Sequence, residues 1–245
     1  MPQEIQVLLH EANLQPWQTR GVEQVLTLVV RVEKKTRPSQ TDALETAARA
    51  VLAILADERS YGEGEWAEAM AAWQDNRIRK IAKRARGIEW RRAEALPGIT
   101  VHGTGTGAPE GVAAEVRVFP PTGVDDVPPE LLKLQVSGTD FEDTEELPAL
   151  GPGVPVLWIN PELEMSSGKA MAQCGHAAQL AWWALPETAR KEWRSTDFAL
   201  SVRTATRTHW AALLATDLPV VQDAGFTEIA PGSKTVIADH PLLTR

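Results

Sequence analysis

Between Val156 and Leu185 the chain runs through a strand, a turn and a helix in immediate succession, and that unit narrows the folds open to it. Val156-Leu157-Trp158-Ile159 is a short apolar run with the length and β-branched content of a buried strand. Pro161, Ser166, Ser167 and Gly168 make the next segment turn-like. From Lys169 to Trp183 the residues are mostly Ala, Gln, Leu and Met, all good helix formers, and Pro186 ends the run. Lys169, Gln173 and His176 recur at i, i+4 and i+7 and so share one helix face. Ala172, Ala177, Leu180 and Ala181 supply a different, apolar face for packing. A lysine, an amide and an imidazole aligned in this way form a polar constellation that core packing does not explain.

The run GKAMAQCGHAA, residues 168–178, resembles the GKxxAQxxHA signature of the type-2 peptidyl-tRNA hydrolase family. A second run, Asp223 to Thr235 (DAGFTEIAPGSKT), resembles that family's DAGxTxIAPG(S/T)xT signature. The resemblance covers roughly residues 153–245. It departs from the family at Glu162, Glu164 and Ser167, where the family usually carries a basic loop, and in the shortness of the segment between the two signatures. What it implies is hydrolysis of the ester bond between peptide and tRNA, with release of tRNA for reuse and with no cofactor and no metal. Ester hydrolysis needs an activated water, a stabilised oxyanion and help for the leaving hydroxyl. The residues implied for catalysis are Lys169, Asp223, Thr235, His176 and Gln173. Those implied for substrate binding are Thr227, Ser233, Lys234 and Gly168. In these roles Asp223 orients or deprotonates water, Lys169 stabilises negative charge or holds a terminal phosphate, and Gln173 and His176 position the others. The alternative is a non-catalytic RNA- or protein-binding module that keeps the hydrolase fold, which the acidic Glu162 and Glu164 favour. Cys174 lies about 100° round the helix from Gln173 and is expected to pack among alanines rather than act as a nucleophile.

A net charge of −8 argues mildly against a nucleic-acid partner, but the distribution matters more than the sum. Residues 77–92 (RIRKIAKRARGIEWRR) hold eight basic residues against the single acid Glu89. Arg79, Lys83, Arg84 and Arg86 are the candidate tRNA contacts in this stripe, and a solvated face balanced by acids elsewhere is the bland alternative. Residues 138–147 hold five acids and no base. No apolar run approaches the roughly 20 residues of a membrane-spanning helix. An acidic N-terminal segment without a basic n-region does not resemble a secretory signal. One cysteine cannot form an internal disulfide and fits a reducing compartment. The expectation is therefore a cytoplasmic protein.

Laying the two halves of the chain side by side suggests an internal duplication. Trp73 and Trp90 are spaced as Trp193 and Trp210 are, and Leu96-Pro97 parallels Leu218-Pro219. LTLVVR, turn, DALETAARAVLA has the order of PVLWIN, turn, MAQCGHAAQLA, and AEVRVFPP (114–121) parallels KTVIADHP (234–241). Opposite Lys169, Gln173 and His176 stand Gln40, Leu44 and Ala47; opposite Asp223 and Thr235 stand Gly103 and Glu115. The first copy thus lacks the chemistry. The expected fold is α/β, two small three-layer domains, each a mixed sheet of about four strands flanked by helices. Residues 1–137 would form a degenerate, non-catalytic copy or an unrelated α+β domain, 138–152 an acidic Gly/Pro linker, and 153–245 the catalytic domain. Such a chain would be a monomeric pseudo-dimer or a weak homodimer. Further expectations are a helix within residues 3–24, a strand over 25–31, a helix over 42–55 capped by Thr41 or Asp42, and a strand over 114–119.

Overall fold

The computed structural model describes residues 23–225 and 228–243. The helix expected within residues 3–24 lies almost wholly outside them. The first half opens with β1 (Gln24–Arg31), whose apolar run QVLTLVVR is buried at every interior position. It continues through α1 (Gln40–Ala56), a 3-10 turn (Glu58–Ser60) and α2 (Ala67–Gln74). Then come β2 (Lys80–Ala85), α3 (Gly87–Glu94), β3 (Ile99–His102), β4 (Glu115–Val118), β5 (Thr122–Gly123) and α4 (Pro129–Leu132). The second half runs β6 (Val156–Ile159), α5 (Ser167–Ala184), α6 (Glu187–Ser195), β7 (Ser201–Thr204), α7 (Arg207–Leu213), β8 (Val220–Gln222) and β9 (Lys234–Asp239). The protein is thus α/β, with two mixed sheets flanked by helices.

Both sheets have one topology. The first is ordered β2-β1-β4-β3, with β5 on the end of β1, and the second β7-β6-β9-β8. β1 pairs parallel with β2 and antiparallel with β4, as β6 pairs parallel with β7 and antiparallel with β9. The registers also agree: Leu28 opposes Val118 and Val30 opposes Val116, as Leu157 opposes Ala238 and Ile159 opposes Val236. The indole of Trp73 donates to Arg79 O at 2.9 Å, and the indole of Trp193 to Ala199 O at 2.9 Å. Ile78 and Phe198, each five residues after its tryptophan, both hold a positive φ, 47° and 58°.

The sequence reading missed β2, because KIAKRA looks like a charged surface. In the sheet it is a parallel strand beside β1, and two of its lysines lie inside. Lysine stems are apolar enough to be buried when the ammonium finds a partner. Lys80 turns toward α5, while Lys83 donates to Leu131 O at 2.8 Å and Leu132 O at 3.3 Å. Residues Ile99–His102 form the short strand β3, which local sequence did not announce.

Helices α1 and α5 pack face to face, so one continuous apolar core runs from one sheet through both helices to the other. Small residues in α5 allow the close approach. A Cβ on Gly175 would stand 2.9 Å from a Val51 methyl carbon. The acidic segment after α4 is packed, not free. Thr139 and Phe141 are buried, and Phe141 N donates to Ser167 Oγ at 2.9 Å. Asp143 caps α1, accepting from Thr41 N at 2.8 Å and Thr41 Oγ1 at 2.7 Å. That cap was expected from Thr41 or Asp42. Ser39 stands at the cap position instead, and the Asp42 carboxylate turns inward to Thr104 N (2.9 Å) and Ala114 N (2.6 Å). Four buried or half-buried backbone donors are thereby met across the fold, which local propensity does not encode.

Candidate active site

The N-terminus of α5 meets the end of β8 and the start of β9, and three elements deliver four polar side chains there. Ser166 caps α5, its Oγ accepting from Lys169 N at 3.2 Å, and is itself held by the Glu228 carboxylate at 2.7 Å. One turn into the helix, Lys169 Nζ lies 2.5 Å from Asp223 Oδ2, with side chains only 10% and 7% exposed. Gln173 Nε2 donates to the same oxygen at 2.9 Å. Thr235 Oγ1 donates to Gln173 Oε1 at 2.6 Å. The other carboxylate oxygen, Asp223 Oδ1, accepts from Gly225 N at 2.8 Å. Gly225 takes a φ of 78°, and the Pro231 ring packs where a Cβ would project, so the turn after Asp223 requires glycine on both counts.

This chain of bonds orders the site from inside outward. Thr235 is fully buried and fixes the amide of Gln173; the amide then presents its N–H to the carboxylate, and the carboxylate faces the ammonium. A lysine–carboxylate pair at this depth is weakly screened by water, so each charge strongly orients the other. Among the described residues the Thr235 hydroxyl meets Gln173 Oε1 and the Val221 carbonyl, so it stands one step removed from the carboxylate.

His176 is not brought into this cluster. Its Nδ1 lies 3.1 Å from Lys80 Nζ of the first half, and Lys80 also donates to Gln179 Oε1 at 2.5 Å. Burial, then the positive charges of Lys80 and Lys169, hold the imidazole well below its usual pKa. Burial likewise pushes the Lys80 ammonium far down, and the Trp73 ring 4.7 Å away is its aromatic neighbour. Neither Lys80 nor Gln179 was singled out from the sequence. Thr227 lies outside the described residues. Ser233 contributes its carbonyl to Asp223 N at 2.9 Å, and the Lys234 side chain is exposed at the start of β9. Gly168 sits in the first turn of α5 with Thr139 against it, where a side chain would collide with the Thr139 hydroxyl. Cys174 is buried in the shared core, and burial raises its thiol pKa.

The basic stripe divides. Lys83 is internal, as described above, and so is withdrawn from any surface. Arg79 pairs with Glu23 at 3.2 Å. Arg84 and Arg86 remain at the surface end of β2. In the first half, the positions matching the site hold Gln40, Leu44, Gly103 and Glu115. Leu44 is buried, and Glu115 is committed to Arg31 at 3.1 Å, so the lysine–carboxylate pair has no counterpart there.

Fold and site together define a mixed-sheet α/β protein with a lysine–carboxylate–amide–hydroxyl relay at the start of one helix. The family model for peptidyl-tRNA hydrolase PTH2 matches residues 154–244. Three curated relatives share the name peptidyl-tRNA hydrolase 2, mitochondrial. The bovine protein is 35% identical over 100 residues, spanning 35% of this chain and 54% of its own. The human protein is 32% identical over 124 residues, spanning 45% of this chain and 69% of its own. The mouse protein is 32% identical over 102 residues, spanning 35% and 53%. The chain belongs to the peptidyl-tRNA hydrolase PTH2 family. It spans about half the length of the bovine and mouse relatives. These relatives correct the cytoplasmic expectation, since all three are named as mitochondrial proteins. The physical reason is that a single unpaired cysteine fits any reducing compartment and cannot select one.

Proposed function

We propose that the second half hydrolyses the ester bond of peptidyl-tRNA, and that the observation carrying this is the Lys169–Asp223–Gln173–Thr235 relay. In this reading Asp223 orients and deprotonates the attacking water. Lys169, beside it, stabilises the oxyanion as the carbonyl becomes tetrahedral. Gln173 and Thr235 keep the carboxylate in one rotamer, so that little reorganisation accompanies the reaction. His176 acts from the half-interface and not on the substrate. The expected substrate is a peptidyl-tRNA, because the family match falls on the half that carries the relay. The test is release of N-blocked amino acid from a charged tRNA by purified protein, and a rate no greater than that of buffer alone would end the proposal.

The first half, in the same proposal, is a degenerate copy held as an internal partner, with 138–152 as the connection and 153–245 as the catalytic unit. Identical strand order, matching registers and the repeated tryptophan bond support a duplication. A chain built so would be monomeric. The second reading, a binding module without catalysis, is favoured by the exposed Glu162 and Glu164 in the segment before α5 and by Glu228, which holds Ser166. The same release assay separates the two.

A further inference from the structure

A cationic pocket lies outside the relay, where β1 and β2 end. Arg84, Arg86 and Lys133 line a cavity of about 190 Å³ with Gln135 and Glu89, and the adjoining cleft adds Lys34 and Lys35. Five bases thus face two acids, Glu33 and Glu89, in a chain whose net charge is −8. Glu33 accepts from Gly87 N at 3.2 Å and pairs with Arg31 at 3.1 Å, which lowers its pKa and keeps it ionised with Arg31 as its partner.

The Arg84 guanidinium is fixed in place. Its Nε donates to Ser137 O at 2.9 Å, an Nη donates to the Gln135 side chain, and the Arg84 and Gln135 backbones are bridged at 2.9 Å. Arg86 and Lys133 flank it, exposed, and among the described residues their side chains make no hydrogen bond or ion pair. One planar fork held by the protein, with two adjustable cations beside it, suits the oxygens of a phosphodiester.

The pocket also adjoins the relay. Gly138 packs on the Arg84 guanidinium, where a Cβ would stand 3.3 Å from Nη2, and the next residue, Thr139, packs on Gly168 beside Lys169. The N-termini of α1 and α5 are side by side as well, with Ser167 Oγ 3.4 Å from Gln40 Oε1. Beside the relay the cap residue Ser166 is held by the exposed carboxylate of Glu228, which repels a polyanion, so the basic pocket is the better source of attraction.

We infer that the Arg84–Arg86–Lys133 pocket of the first half binds backbone phosphates of the RNA whose 3′ ester is hydrolysed at Lys169 and Asp223. The inference rests on the proposed function and gives the degenerate half a role: it lost the chemistry and kept the grip. Arg84 holds up its own surroundings, so the test uses R86Q/K133Q and, as the charge-conserving control, R86K/K133R. Titration with deacylated tRNA over a range of salt should show R86Q/K133Q binding roughly tenfold more weakly, with the log–log salt slope flattened by about 0.9 per lost contact on a duplex region. R86K/K133R should bind like the parent. On N-blocked aminoacyl-tRNA, R86Q/K133Q should raise KM and leave kcat in place. On the same ester carried by the terminal trinucleotide alone, it should match the parent. Unchanged affinity and slope in R86Q/K133Q would overturn the inference, and so would an equal loss on the trinucleotide ester. If the parent cleaves neither ester, the functional reading fails, while the tRNA titration still decides the pocket.

Discussion

The Lys169–Asp223 pair lends itself to a double-mutant cycle read in two observables at once. At 2.5 Å and with side chains 10% and 7% exposed, the two charges are mutually dependent. In Asp223→Asn the new amide is nearly isosteric but has only one acceptor. The native carboxylate receives Gly225 N on one oxygen and Lys169 and Gln173 on the other, so either orientation of the amide turns an NH2 toward a donor. It also strips the Lys169 ammonium of this carboxylate. The expected loss of stability is about 3–5 kcal/mol, the range for breaking a buried pair from one side. Lys169→Met is milder, about 1–3 kcal/mol, because the Gln173 and Gly225 donors still satisfy Asp223. The double variant removes both charges and should be more stable than the sum of single costs predicts, by at least about 1 kcal/mol. Activity should behave differently. Each single change should lower kcat at least about 100-fold, and the double should be little worse than the poorer single, since the two groups act as a unit. Urea unfolding at pH 7 measures the first cycle and release of N-blocked amino acid from tRNA the second. Additive stability costs would refute the buried pair, and parental turnover by the double variant would refute its catalytic role.

Two further outcomes are expected. Gly168→Ala should destabilise by about 1–3 kcal/mol, because the new methyl meets the Thr139 hydroxyl, and Thr139→Ala in the same chain should restore much of that; equal unfolding midpoints for parent and Gly168→Ala would contradict the contact. His176 has a lowered folded pKa, so below its ordinary value of 6.5 the unfolded chain binds the proton that the folded one refuses. Stability should therefore fall as pH drops below about 6.5, with the buried His240, also lowered by burial, contributing in the same direction. His176→Asn retains an acceptor for Lys80 and should flatten part of that slope; urea midpoints at pH 5 and 7.5 that shift equally in parent and variant would show that His176 does not titrate there.

Much of this molecule is present in local sequence. The apolar run of β6, the Pro/Ser/Gly turn and the Ala-rich helix α5 are determined by propensity and punctuation alone, and the same holds for β1 and α1. The pairing of Lys169 with Asp223, although 54 residues separate them, was available from two short signatures in order. The repeated tryptophan spacing likewise anticipated two sheets of one topology. Other features arise only when the halves meet. Strand β2 reads as a charged surface because nothing local announces that Lys80 will find His176 and Gln179, or that Lys83 will find the carbonyls at the end of α4. The carboxylate that meets the free Thr41 N–H in the first turn of α1 comes from Asp143, about a hundred residues away. His176 is the clearest case. Helical periodicity correctly places it on the face of Lys169 and Gln173, but seven residues also carry it ~10 Å along the axis. There the surface opposite the helix is no longer β8 and β9 of its own sheet but β2 of the other half. Periodicity determines the direction in which a side chain points; the packing of one half against the other decides what it meets.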